Sequence, residues 1–105
     1  MRVLVDESVI RAYAIELVEA GHDVTRAVDD VGEGVTDEEL HAHAERTDTV
    51  LLTADTTVLS RRPDHGVIVD ARAAAPTMRL ASAVDDIEAA YDDHSAIREV
   101  VQAWD

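Results

Sequence analysis

The aspartates of this sequence recur where apolar runs begin or end. Asp6 follows "RVLV", Asp55 comes two positions after "VLLT", and Asp70 ends "VIVD". Asp37 opens the segment "DEELHAHAER" behind Thr36. In an open α/β sheet, ligands gather beyond the carboxyl ends of the strands, and a helix that follows a parallel strand starts on that edge. If the first and third strands are neighbours, Asp6 and Asp55 converge there and Asp37 can join them. Carboxylates sharing one pocket cannot all stay ionised unless a cation neutralises them. Hard oxygen ligands suit Mg²⁺ or Mn²⁺, with waters completing the shell. Such an ion can activate water and stabilise charge on a phosphoryl group.

Each acid also has a plain structural use. Asp6 can cap the first helix, although Ser8 is placed for that. Asp37 suits the dipole of the helix that it begins. Asp55 can cap a short turn near Thr57, with Thr53 either orienting it or serving as a β-branched strand residue. Asp70 reads as a strand-end or turn residue. Glu7, next to Asp6, is a supporting acid. His41 and His43 are two positions apart on a helix and cannot chelate one ion; His41 lies one turn after Asp37 and reads as surface or half-buried. His22, His65 and His94 read as loop or turn residues. No serine sits in a nucleophile elbow and no glycine-rich phosphate loop is present. With no Cys there is neither a disulfide nor a thiolate site.

The elements that must position these groups alternate. Arg2–Val5 reads as a strand, and Ser8 as the cap of a helix from about Val9 to Ala20, stopped by Gly21. "HDVTRAV" reads as a second strand and Asp29–Val35 as a loop. Thr36 and Glu39 make a capping box for a helix over Thr36–Arg46. "TVLLT" is a third strand, Thr57–Arg61 a helical turn, Arg62–Gly66 a turn and Val67–Asp70 a fourth strand. Pro76 is expected to open the longest helix, with Leu80, Ala83, Val84, Ile87, Ala90 and Tyr91 on one face. The tail "SAIREVVQAWD" fits a short helix or an edge strand equally. This order predicts one α/β domain over residues 1–105, a parallel sheet covered on both faces.

Composition bounds the function. The aromatic share is 3 %, so the core is built of small side chains and modest stability is expected. Asp plus Glu number 23 against 9 basic residues, all Arg, for a net charge of −14. A lysine-free acidic surface is expected of a protein working in concentrated salt, which screens self-repulsion. The same acidity disfavours nucleic-acid binding on composition alone, an argument that salt weakens. The N-terminus lacks the layout of a signal peptide and no apolar run is long enough to span a bilayer, so a cytoplasmic location is expected.

Taken together, "MRVLVDES", "GHDVTRAVD", "TDEELHAHAERTDTVLLTADTTVL" and "HGVIV" resemble the PIN-like fold, in particular its short single-domain bacterial and archaeal branch related to toxin nucleases. The resemblance covers about the first two-thirds of the chain. It implies a three-layer α/β fold with a short, mostly parallel sheet, and a Mg²⁺- or Mn²⁺-dependent ribonuclease. It implies that Asp6, Asp37 and Asp55 are the metal-binding catalytic acids and that Thr53 orients Asp55. RNA and an antitoxin protein are the partners it implies, and related nucleases often form homodimers. Arg11, Arg46 and Arg61 are candidates to meet RNA by proximity in sequence. Two departures stand out. Thr57 and Val58 occupy the last places of a pattern that often reads T-x-D-x-D-F, and only Glu33 stands near the place of a further helix acid. They open a second reading, a catalytically silent PIN-like protein that binds another protein. A phosphorylation receiver ranks low, because the chain has no Lys to pair with a phosphoryl group.

Overall fold

The computed structural model describes residues 1–71 and 79–104. Five strands form one sheet in the order β2-β1-β3-β4-β5, with every neighbouring pair parallel. They are β1 (Arg2–Val5), β2 (Asp23–Arg26), β3 (Val50–Thr53), β4 (Val67–Val69) and β5 (Arg98–Val100). The helices are α1 (Arg11–Glu19), α2 (Ala27–Asp30), α3 (Asp37–Thr47) and α4 (Leu80–Ala90), with a 3₁₀ turn at Val58–Arg61.

Strand side chains alternate between faces, and the alternation splits the core in two. Val3, Val5, Val50, Leu52 and Ile68 pack with Leu17 of α1 and with Leu80, Val84 and Ile87 of α4. Leu4, Leu51, Val67 and Val69 pack on the other face with Ala27, Leu40 and Ala44 and with Val58 of the 3₁₀ turn. The result is the three-layer α/β arrangement expected of a PIN-like fold. Among the described residues, no helix is long and apolar enough to cross a membrane.

Several elements differ from the sequence expectation. The first helix starts at Arg11 behind Ile10, with no side-chain cap. Ser8 is spent elsewhere: its hydroxyl donates to Asp6 and accepts the Ala54 N–H. The second strand ends at Arg26, because β2 is an edge strand and the chain turns at once into α2, which buries Ala27. The first two residues of the expected Asp29–Val35 loop, Asp29 and Asp30, therefore belong to the single turn of that helix. The α3 start holds as read: Thr36 Oγ1 accepts the Glu39 N–H at 3.2 Å. In α4, Leu80, Ala83, Val84 and Ile87 are buried but Ala90 is exposed. The expected helix start at Pro76 lies outside the described residues. The tail makes both of its alternatives in succession, strand β5 and then a 3₁₀ turn at Val101–Trp104.

Two glycines test this packing in different ways. A Cβ on Gly66, just before β4, would collide with the His94 carbonyl oxygen. Gly21 has φ +96 but open space around it. Gly66→Ala is therefore expected to cost about 2–3 kcal/mol through overpacking, and Gly21→Ala about 1 kcal/mol through backbone conformation alone. Chemical denaturation of both variants in molar KCl checks the order; equal costs would contradict it.

Candidate functional site

The sheet order reverses between β1 and β3: β1 pairs with β2 on one side and with β3 on the other. That is the topological switch point, where the carboxyl ends of adjacent strands leave an open crevice. Val5 pairs with Leu52, and the Asp6 N–H extends the ladder to the Leu52 carbonyl at 2.9 Å. Asp6 and Thr53 therefore emerge side by side.

Thr53 is buried and its hydroxyl serves both acids. It donates to Asp6 Oδ2 at 2.8 Å and accepts the Asp55 N–H at 3.2 Å. Ser8 Oγ donates to the same Asp6 oxygen at 2.8 Å. The Asp6 carboxylate is thus fixed through Oδ2, and the described hydrogen bonds leave Oδ1 for a further ligand. The orienting role of Thr53 extends beyond Asp55, whose backbone it holds, to the Asp6 side chain.

Asp55 divides its two oxygens. Oδ1 accepts the Thr57 N–H at 2.9 Å and the Thr57 hydroxyl at 2.7 Å, an Asx-type turn that leads into the 3₁₀ turn. Oδ2 accepts from Arg61 Nη2 at 2.8 Å. The structural use and the pocket-facing use coexist, one oxygen each. The two Thr57 hydrogen bonds, aided by Arg61 against a small burial penalty, hold the Asp55 carboxyl below the usual carboxylate range.

Asp37 is the first residue of α3, exposed at the helix N-terminus. Arg61 Nη1 donates to its Oδ2 at 3.0 Å. One guanidinium therefore spans Asp37 and Asp55, and its Nη2 also donates to Thr57 Oγ1 at 2.6 Å. Asp6, Thr53, Asp55, Arg61 and Asp37 form one connected polar chain from three parts of the sequence. A cleft of about 410 Å³ opens beside it, walled by Asp37, His41, Glu45, Val58, Arg61 and His65.

Other candidates fall elsewhere. Glu7 and Glu33 are exposed. Arg11 borders a separate groove with Ile15, Val18 and Arg26. Arg46 lies in the last turn of α3 beside His43, about 14 Å along the helix from Asp37, at the wrong end for this site. Asp70 is buried at the end of β4, where Gln102 Nε2 donates to it at 2.9 Å. Of the histidines, His41 and His65 line the cleft, and both are half-buried.

His22 is more than a loop residue. It is buried, and its Nε2 lies 2.7 Å from Asp85 Oδ1. With Glu88 these residues form, among the described residues, the trio whose potential ligand atoms all lie within 4.8 Å of one another. The Met1 ammonium already pairs with Glu88 at 2.8 Å and approaches His22 Nδ1 at 3.3 Å. The trio sits at the amino ends of β1 and β2, opposite the aspartates. Helical spacing pairs Asp85 with Glu88 but gives no hint of His22, because that contact spans 63 residues.

Because the Asp55 carboxyl is held low, its contacts stabilise the fold above the unfolded carboxyl pKa of about 4. That contribution is lost as pH falls through the lower folded value. Thermal melting of the metal-free protein should therefore show the advantage of the parent over Asp55→Asn shrinking below about pH 4. An advantage that stays constant down to strongly acid pH would contradict the assignment.

The set of donors here is carboxylate and hydroxyl oxygen, which suits a hard divalent cation, and the guanidinium across Asp37 and Asp55 shows that a cation can be held there. Comparisons with curated proteins and with solved structures give no match. A family model described as "PIN like domain" matches residues 1–80, a span that contains Asp6, Asp37, Thr53, Asp55 and Arg61. The chain belongs to the PIN-like domain family.

Proposed function

We propose that this protein is a metal-dependent ribonuclease whose metal is held by Asp6, Asp37 and Asp55. The observation that supports this most is the connected chain of these three carboxylates at the switch point of the sheet. PIN domains generally use divalent metals. When bound, a Mg²⁺ or Mn²⁺ ion would lower the pKa of a coordinated water and offset the charge that develops on a phosphoryl group.

The chain's own residues do the rest. Thr53 and Ser8 fix the Asp6 carboxylate through one oxygen. The Thr57 hydrogen bonds orient the Asp55 carboxylate through Oδ1 and lower its pKa. The cleft beside Asp37 gives a phosphodiester a way in, with Arg61 and Arg62 on its wall. The net charge of −14 opposes a polyanionic substrate. In molar salt the Debye length is about 3 Å, which removes most of that repulsion; we place the working environment there. A role as the toxin of a toxin–antitoxin pair is the physiological form of this reading.

A second reading, a silent PIN-like binding protein, is favoured by a specific surface. Ile10, Ile15 and Val18 are exposed on and before α1, beside the edge strand β2. An apolar patch there suits a protein partner.

Calorimetric titration of Mn²⁺ in molar KCl separates the readings. The parent is expected to bind and Asp55→Asn to lose at least about tenfold in affinity, by removal of a charged ligand. RNA cleavage by the parent should disappear with excess chelator and in Asp55→Asn. Equal cleavage by parent and variant would refute the assignment of Asp55.

A further inference from the structure

Arg61 occupies the pocket in a way that its exposure would not lead one to expect. Half of its surface is open to solvent, yet its guanidinium makes three hydrogen bonds, to Asp37, Asp55 and Thr57. A guanidinium is a planar fork that can span two carboxylates. Its two terminal nitrogens point at different elements, Nη1 at the start of α3 and Nη2 at the loop after β3. Among the described residues, the ligand atoms of Asp6, Asp37 and Asp55 do not all lie within 4.8 Å of one another. The fork ties Asp37 to Asp55 through one nitrogen each and so occupies an oxygen of both carboxylates.

Thr57 completes the contact. Its hydroxyl donates to Asp55 Oδ1 and accepts from Arg61 Nη2. An acid in its place would add negative charge; the threonine instead ties Asp55 and Arg61 together.

We propose that Arg61 is an internal latch: its guanidinium is the resident counter-cation of the acid pocket, and a divalent ion enters only as Arg61 gives up Asp37 and Asp55. This rests on the metal-binding reading above and assigns a regulatory element to the same site. Loading frees the oxygens of Asp37 and Asp55 that Arg61 holds and releases the arginine side chain into the adjoining cleft, whose wall it already forms. The latch makes the empty site stable and raises the metal concentration needed to fill it.

The test compares Arg61→Met with Arg62→Met. Both remove one positive charge from the same turn, but none of the described contacts to Asp37 or Asp55 comes from Arg62. Calorimetry with Mn²⁺ is expected to show Arg61→Met binding about three- to tenfold more tightly than the parent, the gain from not breaking two exposed ion pairs. Arg62→Met should stay within about twofold of the parent, since only a screened charge is lost. In thermal melts without metal, Arg61→Met should melt below the parent, and Mn²⁺ should raise its melting temperature by more. Equal shifts in the two variants, or weaker binding by Arg61→Met, would overturn the latch while leaving intact a metal site that Asp55→Asn abolishes. Absence of Mn²⁺ binding in the parent and in Arg61→Met alike would instead remove the metal reading, and the latch with it.

Discussion

The pairing of β1 with β3 is the constraint on which the site depends. A strand slip of one residue reverses which side chains face each layer. Here the register is held by burial on both faces: Leu52 faces α1 and α4, while Leu51 faces α3. Leu4, Leu51 and Thr53 lie on one side by alternation, and Asp6, two positions beyond Leu4, stays on it long enough to accept from Thr53. That side is covered by α3, so the helix that delivers Asp37 lies over the same edge. The convergence of the aspartates is thus a consequence of core packing, and the register cannot shift without exposing leucines.

The chain beyond the family match does a different job. Residues 1–80 carry the aspartates and Arg61, while most of α4 and all of β5 lie outside that span. Ile87, Ile97 and Val101 are fully buried against α1 and the sheet. With few aromatic residues, a core of this size needs that cover to remove enough apolar area from water. The contact between Met1, His22, Asp85 and Glu88 fastens the same layer to the amino ends of β1 and β2. Site and fastening lie at opposite ends of the sheet, so the acids at one end need not supply the stability of the other.

Much of this was legible in the residues. The β-branched runs and the capping Thr36 marked elements because their signals are local. The placement of Asp6, Asp37 and Asp55 on one edge followed from strand–helix alternation together with one assumption, that β1 and β3 are neighbours. What could not be read were contacts across long sequence separations. His22 meets Asp85 over 63 residues, and Arg61 reaches Asp37 over 24. Ser8 has the composition of a helix cap, yet its hydroxyl is drawn to Asp6 and Ala54, which only the folded sheet edge brings near. Residue type was informative where the partner is a neighbour in sequence and misleading where tertiary structure supplies a better one.

The electrostatics of the pocket follow from counting the groups in contact. Asp6, Asp37 and Asp55 with Arg61 leave a net local charge of −2. The guanidinium therefore engages Asp37 and Asp55 without cancelling the negative field of the pocket. At low ionic strength that field reaches well beyond the pocket, whereas at molar salt it fades within about 3 Å. Under the latter condition long-range attraction counts for little, and occupancy turns on what touches the carboxylates. A planar fork prefers two carboxylates held apart, while a small hard ion draws oxygens into a tight shell. In the latch we propose, the spacing of Asp37 from Asp55 selects between the two cations, and α3, whose first residue is Asp37, is the element that sets it.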